Sequence, residues 1–543
     1  MINRKPLLTA LAFAGICLSS CKNGKTGLFV PKDATFVLQI NTPSLTSKLS
    51  WKEITASKWF QDMQSETHDS LSKKLMENPD VSGIDTKEGF AFFMKKQGYG
   101  AYTALEGTLN NSLAFEIFNK ARTHGATVHQ EGDLRYMYSE DHSLMSWKDS
   151  KFIYISDASA AMPAGQMSEH HDGHYFATDS LKKFTLDLFA LNSSNSIEND
   201  EHFQSLMKEN GDLHLWMNGN SFIQSMPGNG LASLFAQNPV FQGNVATMTV
   251  SFDAGKISMK AKQYYGKEMT AVMDKYPMKP VTKDLVNRIP GQNISGVFVM
   301  NYPPEAIKEY LRLANLDGMA NGFLGQYNYS LDELIQATKG QMVLALTNFS
   351  LGQPSVPTAE NPYQRPNVDI QYLLAVSVNN KPSFDKLVQL AVSKVPDTTL
   401  LSKVSFKVTN DWFAFSNSQN NVDAFISGAN NNVPFADKIT GHPFGFYIDI
   451  QKILQGMNGA THDNSGAMAA SLATWKDFIM TGGDYKDGVS TANMEINLVD
   501  QSTNSLKQLN QYAEKLYEAS KNRREMYNDL PDTTAPTEAA PVK

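Results

Sequence analysis

The sequence predicts an α+β protein made of two tandem, structurally similar domains, each a mainly antiparallel sheet with helices on one face. A motif of Pro, a short apolar strand and Asn-x-Pro occurs twice, once ending at Pro43 and once at Pro303. Strand and helix patterns then return in the same order after each copy, as a duplication would produce. Alternating strands and a hairpin turn over residues 253–256 argue against an all-parallel sheet.

Residues 1–20 have the pattern of a lipoprotein signal peptide. A basic start precedes an apolar run over residues 7–18, which is too short to span a bilayer. The run ends in Leu18-Ser-Ser-Cys21, which resembles the bacterial lipobox. The resemblance implies cleavage before Cys21 and lipidation of that residue, so a membrane is the expected partner. The alternative is an ordinary secretory signal in which the Cys is incidental.

The first domain is predicted over residues 28–276, after a polar tether at 21–27 whose two glycines make it flexible. A strand over 35–41 is followed by helices with apolar residues three and four apart over 45–78. The pair Asn110-Asn111 opens a later helix, because an Asn side chain accepts a hydrogen bond from a free N–H at a helix start. The other predicted strands cover 89–94, 101–109, 144–147, 152–157, 213–218, 246–252 and 257–265, and a helix covers 267–275.

The second domain is predicted over residues 287–526, after a Pro-containing linker at 277–286. Asn379-Asn380 precedes its helix as Asn110-Asn111 does in the first domain, with the same spacing to a following Phe. Its last strand, over 492–498, is matched to the strand over 246–252. The other predicted elements are strands over 339–346, 372–378, 404–408, 412–417 and 444–449, and a closing helix over 504–526.

Three further stretches are interpreted as irregular. Gly482-Gly483 has the composition of a turn, and the segments 158–179 and 349–369 are predicted loops. The tail over 527–543 is predicted to be disordered, because it has too few apolar residues to pack.

Composition excludes some functions. The formal net charge is −7 and no long run of Lys or Arg occurs, so no nucleic-acid partner is expected. Cys17 lies inside the signal, which leaves Cys21 alone in the mature chain and excludes a disulfide framework. The 24 Met residues are interpreted first as core filler and second as an adaptable apolar surface.

The densest group of potential metal ligands is Glu169-His-His-Asp-Gly-His174. Its imidazoles, on His170, His171 and His174, could hold a transition metal, since neutral His is a common zinc ligand. The alternative interpretation is a solvated polar loop, because the spacing fits no ordered motif such as His-Glu-x-x-His. No catalytic residue, cofactor-binding residue or cofactor is predicted, since no nucleophile or phosphate-loop motif occurs.

The layout resembles a known family. The stretch from Val30 to Asn41, directly after a lipobox, is similar to an uncharacterised family of Bacteroidota envelope lipoproteins, catalogued as a domain of unknown function of about this length. The resemblance implies an envelope lipoprotein and supplies no catalytic residues. Lipoproteins of that group which reach the cell surface carry an acidic tag after the Cys. Here Lys22-Asn-Gly-Lys25 stands instead, which favours anchoring to the outer membrane with the protein facing the periplasm.

Three hypotheses about function follow. The first is a lipid-anchored, non-enzymatic envelope protein that serves as a binding or scaffolding module for a protein or glycan partner. The alternative is a periplasmic hydrolase or metal-dependent enzyme that uses the loop at residues 170–174. The third is a structural partner in an envelope assembly, docked through the helix over 504–526.

Overall fold

The structure is a computed structural model that describes residues 27–528, except 99, 140–141, 159–175, 221–239, 241, 292, 355–365, 396–401, 429–430, 432 and 459–464. Cys21 and the loop at 170–174 therefore lie outside the described residues. The strands are β1 (Phe36–Ile40), β2 (Phe90–Gln97), β3 (Gly100–Thr108), β4 (His129–Glu131), β5 (Leu134–Ser139), β6 (Ser143–Lys148), β7 (Lys151–Asp157), β8 (Leu213–Asn218), β9 (Val245–Asp253), β10 (Lys256–Tyr264), β11 (Gly296–Asn301), β12 (Thr338–Pro354), β13 (Pro366–Val378), β14 (Ser405–Val408), β15 (Trp412–Ser416), β16 (Phe444–Asp449), β17 (Trp475–Lys486) and β18 (Val489–Leu498).

The helices lie between groups of these strands along the chain and after the last strand. They are α1 (Thr42–Lys48), α2 (Trp51–Thr55), α3 (Lys58–Glu66), α4 (Ser70–Glu77), α5 (Ser112–Arg122), α6 (Thr178–Phe189), α7 (Glu201–Leu206), α8 (Lys267–Lys275), α9 (Lys283–Asn287), α10 (Pro304–Leu313), α11 (Asp317–Gly325), α12 (Leu331–Ala337), α13 (Lys381–Ser393), α14 (Gln419–Ser427), α15 (Ala436–Ile439), α16 (Ile450–Asn458), α17 (Ala467–Thr474) and α18 (Ser505–Asn528). Within the described ranges, no helix has both the length and the apolarity needed to cross a membrane.

All the strands belong to one antiparallel sheet. Their pairings give the order β4-β5-β6-β7-β3-β2-β1-β8-β9-β10-β18-β17-β16-β11-β12-β13-β15-β14. The predicted α+β class with antiparallel sheets is therefore confirmed. The prediction of a separate sheet in each domain is wrong, because β10 pairs with β18 along its whole length and joins the two halves. We call this β10–β18 pairing the seam.

The two halves, β1–β10 and β11–β18, repeat one order of pairings. β1 lies between β2 and β8, as β11 lies between β12 and β16. β10 pairs with β9, as β18 pairs with β17, so β17 rather than residues 492–498 corresponds to β9. Gly482-Gly483, interpreted above as a turn, lies inside β17 beside a register shift. The repeated order supports the predicted duplication, while the domain bounds stay predictions.

The Asn pairs act as helix caps in both halves. Asn111 Oδ1 accepts a hydrogen bond from Ala114 N at 3.0 Å, before α5. Asn380 Oδ1 accepts one from Ser383 N, also at 3.0 Å, before α13. Each cap satisfies a backbone N–H that has no partner within the helix, and this fixes the residue at which the helix begins.

Helices cover both faces of the sheet rather than the one face predicted. We call the face that carries Val37 and Val299 the front and the face that carries Ile40 the back. The strand register from β1 across to β11 places the side chains of Val37 and Val299 on the same face. On the front, α6 and α7 pack on the first half and α9, α14 and α15 on the second. On the back, α5 and α18 pack on the first half and α13 on the second. The reason is visible in Phe90-Ala-Phe-Phe-Met94, which is apolar at consecutive positions and so buries both sides of β2.

The last helix returns to the first half of the chain. Asn510 accepts a hydrogen bond from Trp59 Nε1 at 3.1 Å, and Lys521 pairs with Asp62 at 2.6 Å. Leu506, at the start of α18, packs against two apolar clusters of the first half. The closing helix, considered above as a docking element for another protein, therefore packs within its own chain.

Part of the predicted linker at 277–286 is folded into the second half. Val281, Leu285 and Val286 are buried in the apolar core of the second half, the last two as residues of α9. The second core therefore begins before residue 287.

Candidate functional site

A cavity of about 570 Å³ opens on the front of the sheet at the seam. Its walls come from three distant parts of the chain: the residues that follow α7, the strands β9 and β10, and the strand β18. The lining residues are Lys208, Glu209, Asn210, Thr249, Lys260, Ala261, Lys262, Thr491, Ala492 and Asn493. Pockets often form where two structural units meet, and this one lies where the two halves join.

Strand register sets the floor of the cavity. Lys260 lies directly opposite Thr249 on one side and opposite Asn493 on the other. Lys262 lies opposite Thr491. Side chains alternate between faces along a strand, so all five of these residues point to the front. We call Thr249, Lys260, Lys262, Thr491 and Asn493 the seam floor.

Glu209 is fixed at the edge of the cavity by three contacts. Its carboxylate accepts hydrogen bonds from Lys262 Nζ and, at 3.3 Å, from Thr249 Oγ1. Its backbone carbonyl contacts the ring Nε2 of the buried His214 at 3.0 Å, and because a carbonyl only accepts, Nε2 carries the proton. The ion pair with Glu209 raises the pKa of Lys262. The same contact holds the Lys262 ammonium in place beside Glu209.

Two ammonium groups at the cavity have no ion-pair partner among the described residues. Lys208 and Lys260 are exposed and form no ion pair with any described residue. The nearby carboxylate of Glu495, on β18, is already paired with Lys256. The lining holds three Lys and one Glu, so its charge is positive in a chain whose formal charge is −7.

The sequence-predicted site residues are not tested by this geometry. Cys21, His170, His171 and His174 all lie outside the described residues. In the part of the chain that is described, no group of three or more His, Cys, Asp and Glu side chains could hold a metal ion.

The cavity itself was not predicted from sequence. Its residues are up to 285 positions apart, from Lys208 to Asn493, and only the pairing of β10 with β18 brings them together. A signal was present in Lys260-Ala-Lys262, where two Lys fall on one face of a predicted strand. That pattern alone is typical of any solvated strand.

The fold and site define a class: an α+β protein with one continuous antiparallel sheet and a basic cavity at its centre. The chain belongs to the family described as a domain of unknown function (DUF4836), whose model matches residues 28–360. The resemblance to an uncharacterised domain family is thereby confirmed. No curated protein matches the sequence.

Three solved structures, titled crystal forms I, III and IV of TP0453, have some likeness to the chain. Their identities are 9%, 13% and 11%, and their TM-scores are 0.25, 0.24 and 0.23. They cover 46%, 48% and 49% of this chain, and 81%, 90% and 86% of their own length is matched. A likeness at these scores carries no argument about this chain.

Proposed function

We propose that this chain is a lipid-anchored cell-envelope protein whose body binds a small polar ligand in the seam cavity. Lipidation of Cys21 holds it at the outer membrane, facing the periplasm, and the body serves as a binding module rather than an enzyme. The observation that carries the proposal is the open, charged cavity built by both halves of the chain.

The folded part of the chain begins only a few residues after Cys21, so an anchor on Cys21 would lie close to it. Phe29 N already donates a hydrogen bond to Glu106 Oε2 at 2.9 Å, deep in the first half. The tether at 21–27 therefore spans at most about 25 Å when fully extended. A lipid on Cys21 would hold the body within about one domain diameter of the bilayer surface.

The anchor is tested by replacing Cys21 with Ala and separating the cell fractions after labelling with radioactive palmitate. We expect the wild-type chain in the membrane fraction with label, and Cys21→Ala without label and lost from that fraction. Cys17→Ala is the matched control, because that Cys leaves with the signal and its loss should change nothing. Membrane retention of unlabelled Cys21→Ala would contradict the anchor.

The binding role is tested by filling the cavity. Asn493 is exposed on the seam floor, so Asn493→Trp occupies the space without disturbing the core. Lys407→Trp, on the exposed β14, is the matched control. We expect glucose, glucuronate or glucose 6-phosphate to raise the melting temperature of the full-length chain in detergent and of Lys407→Trp. Asn493→Trp should not respond, and an equal response in both variants would contradict a site in the cavity.

A further inference from the structure

We infer that the ligand of the seam cavity is a hydroxylated organic anion whose acid group lies between Lys208 and Lys260. This inference rests on the function proposed above and names the chemical class of the ligand. It starts from charge: the chain as a whole is acidic, yet the lining of this cavity carries a net positive charge. A concave site of one sign concentrates ligands of the opposite sign.

The positive charge is localised on two residues. Glu209 neutralises Lys262, and Lys256 neutralises Glu495 beside the floor. Lys208 and Lys260 keep charges with no counter-ion among the described residues. Any acid group that enters the cavity is therefore drawn to these two, and not to the paired Lys262.

Cross-strand packing holds Lys260 at the cavity. Lys260 has Thr249 opposite it on β9 and Asn493 opposite it on β18, and opposed residues have Cβ atoms about 5 Å apart. Lys262, two residues further along the same face, forms an ion pair with Glu209. The Lys260 side chain thus belongs to the lining of the cavity.

The neutral lining residues indicate a ligand larger than a simple ion. Asn210 and Asn493 supply amide groups that both donate and accept hydrogen bonds, and the Thr491 hydroxyl, which donates to Asp484 O, can still accept one. A cavity of about 570 Å³ has room for far more than one water, whose share of liquid volume is about 30 Å³. An acid that also carries several hydroxyl groups satisfies both kinds of partner.

The ammonium of Lys is a compact point charge. It donates hydrogen bonds to a carboxylate or a phosphate without the bidentate geometry that Arg imposes. The group recognised is therefore an oxyanion. The experiment below distinguishes its two possible sources, a sugar carboxylate and a sugar phosphate.

The test is calorimetric titration of the full-length chain in detergent, at constant ionic strength, with glucuronate, glucose 6-phosphate and glucose. We expect saturable binding of at least one acid and at least tenfold weaker binding of glucose. Lys208→Met and Lys260→Met should each weaken binding of that acid about tenfold, since a charge-assisted hydrogen bond is lost. Both side chains are exposed, so both variants are expected to fold, which circular dichroism checks.

Lys407→Met is the matched control, because Lys407 is exposed on β14, away from the cavity, and forms no ion pair with any described residue. Unchanged affinity in Lys208→Met and Lys260→Met would overturn the inference, as would an equal loss in Lys407→Met or failure of both acids to bind. Glucose binding that Asn493→Trp abolishes and the Lys variants leave intact would overturn the anionic class alone. In that case the proposed binding function stands.

Discussion

The two faces of the central strands differ more than the two halves of the chain do. On the front, the seam floor is polar, and Lys260 and Asn493 are exposed. On the back, the next residues along the same strands, Met259 and Met494, are partly buried, and α18 contacts the flanking strand β9 there.

The difference shows how the same strands can present apolar side chains on one face and a candidate binding site on the other. Met259 and Met494 lie opposite each other in register, as Lys260 and Asn493 do one position along. Period-two alternation alone sends one pair to the apolar side and the other to the open side. The seam is thus the place where the front face lacks the helices that cover it in each half.

The largest expected effect comes from Glu106, a front-face residue of β3 that is covered rather than open. Burial raises its pKa to about 8. Because this folded-state pKa lies above the unfolded value, the associated stability is present at pH 4.5 and below and is lost as pH rises through 8. We expect the free energy of unfolding to fall by a few kcal/mol between pH 5 and 8.5, measured by urea denaturation.

Glu106→Gln should remove most of that pH dependence, since its amide does not ionise. Glu305→Gln, at an exposed position of α10, is the control and should keep the wild-type profile. If the free energy of unfolding of Glu106→Gln depended on pH as steeply as that of the wild type, groups other than Glu106 would cause the pH dependence.

The second prediction compares the faces directly. Met494→Asp places a charge on the covered side of β18 and should lower the free energy of unfolding by about 2 kcal/mol, because the carboxylate loses hydration. Asn493→Asp, one residue away on the open side, should change it by less than about 0.5 kcal/mol. Thermal or urea denaturation of both variants measures this. Equal losses would mean that the two sides are equally covered.

The third prediction concerns the packing of the back face. A Cβ on Gly482 would lie 2.8 Å from Ala492 Cβ and 2.8 Å from Phe444 Cζ, so Gly482→Ala should destabilise the fold by about 1–2 kcal/mol. Gly318, in α11, has open space around it, and Gly318→Ala should be neutral or stabilising by up to about 1 kcal/mol. Urea denaturation distinguishes the signs, and a neutral Gly482→Ala would indicate a looser back face.

The smallest effect on stability is expected at the ion pair of the seam floor. Glu209→Gln removes a partly exposed pair with Lys262 and should cost only about 0.5 kcal/mol. The contact of its backbone carbonyl with His214 is kept. The freed Lys262 should tighten the binding of glucuronate or glucose 6-phosphate about threefold, measured by the titration described above. Weaker binding would mean that Glu209 itself contacts the ligand.

Local structure was predictable from particular residues. Asn111 and Asn380 marked two helix starts, because a capping side chain acts within three residues of itself. Gly482-Gly483 misled the prediction, since glycines that mark a turn elsewhere lie here inside β17. The helices on both faces were missed because apolar alternation does not say which side a distant helix will cover.

The seam cavity could not be predicted from the sequence, for a different reason. Lys208, Lys260 and Asn493 carry no local signal of proximity, and their meeting depends on the pairing of two strands that are more than 200 residues apart. Pairing over such distances follows from the whole sheet and not from a motif. The predicted strand over 257–265 contains Lys260 and Lys262, which are part of the floor, but its sequence says nothing of the other floor residues or the walls.

The return of α18 to the first half has a consequence for synthesis. The indole of Trp59 and the carboxylate of Asp62 have partners in Asn510 and Lys521, near the other end of the described chain. During synthesis, therefore, the first half keeps an uncovered surface until α18 has been made. A chain stopped before Ser505 would present that surface permanently.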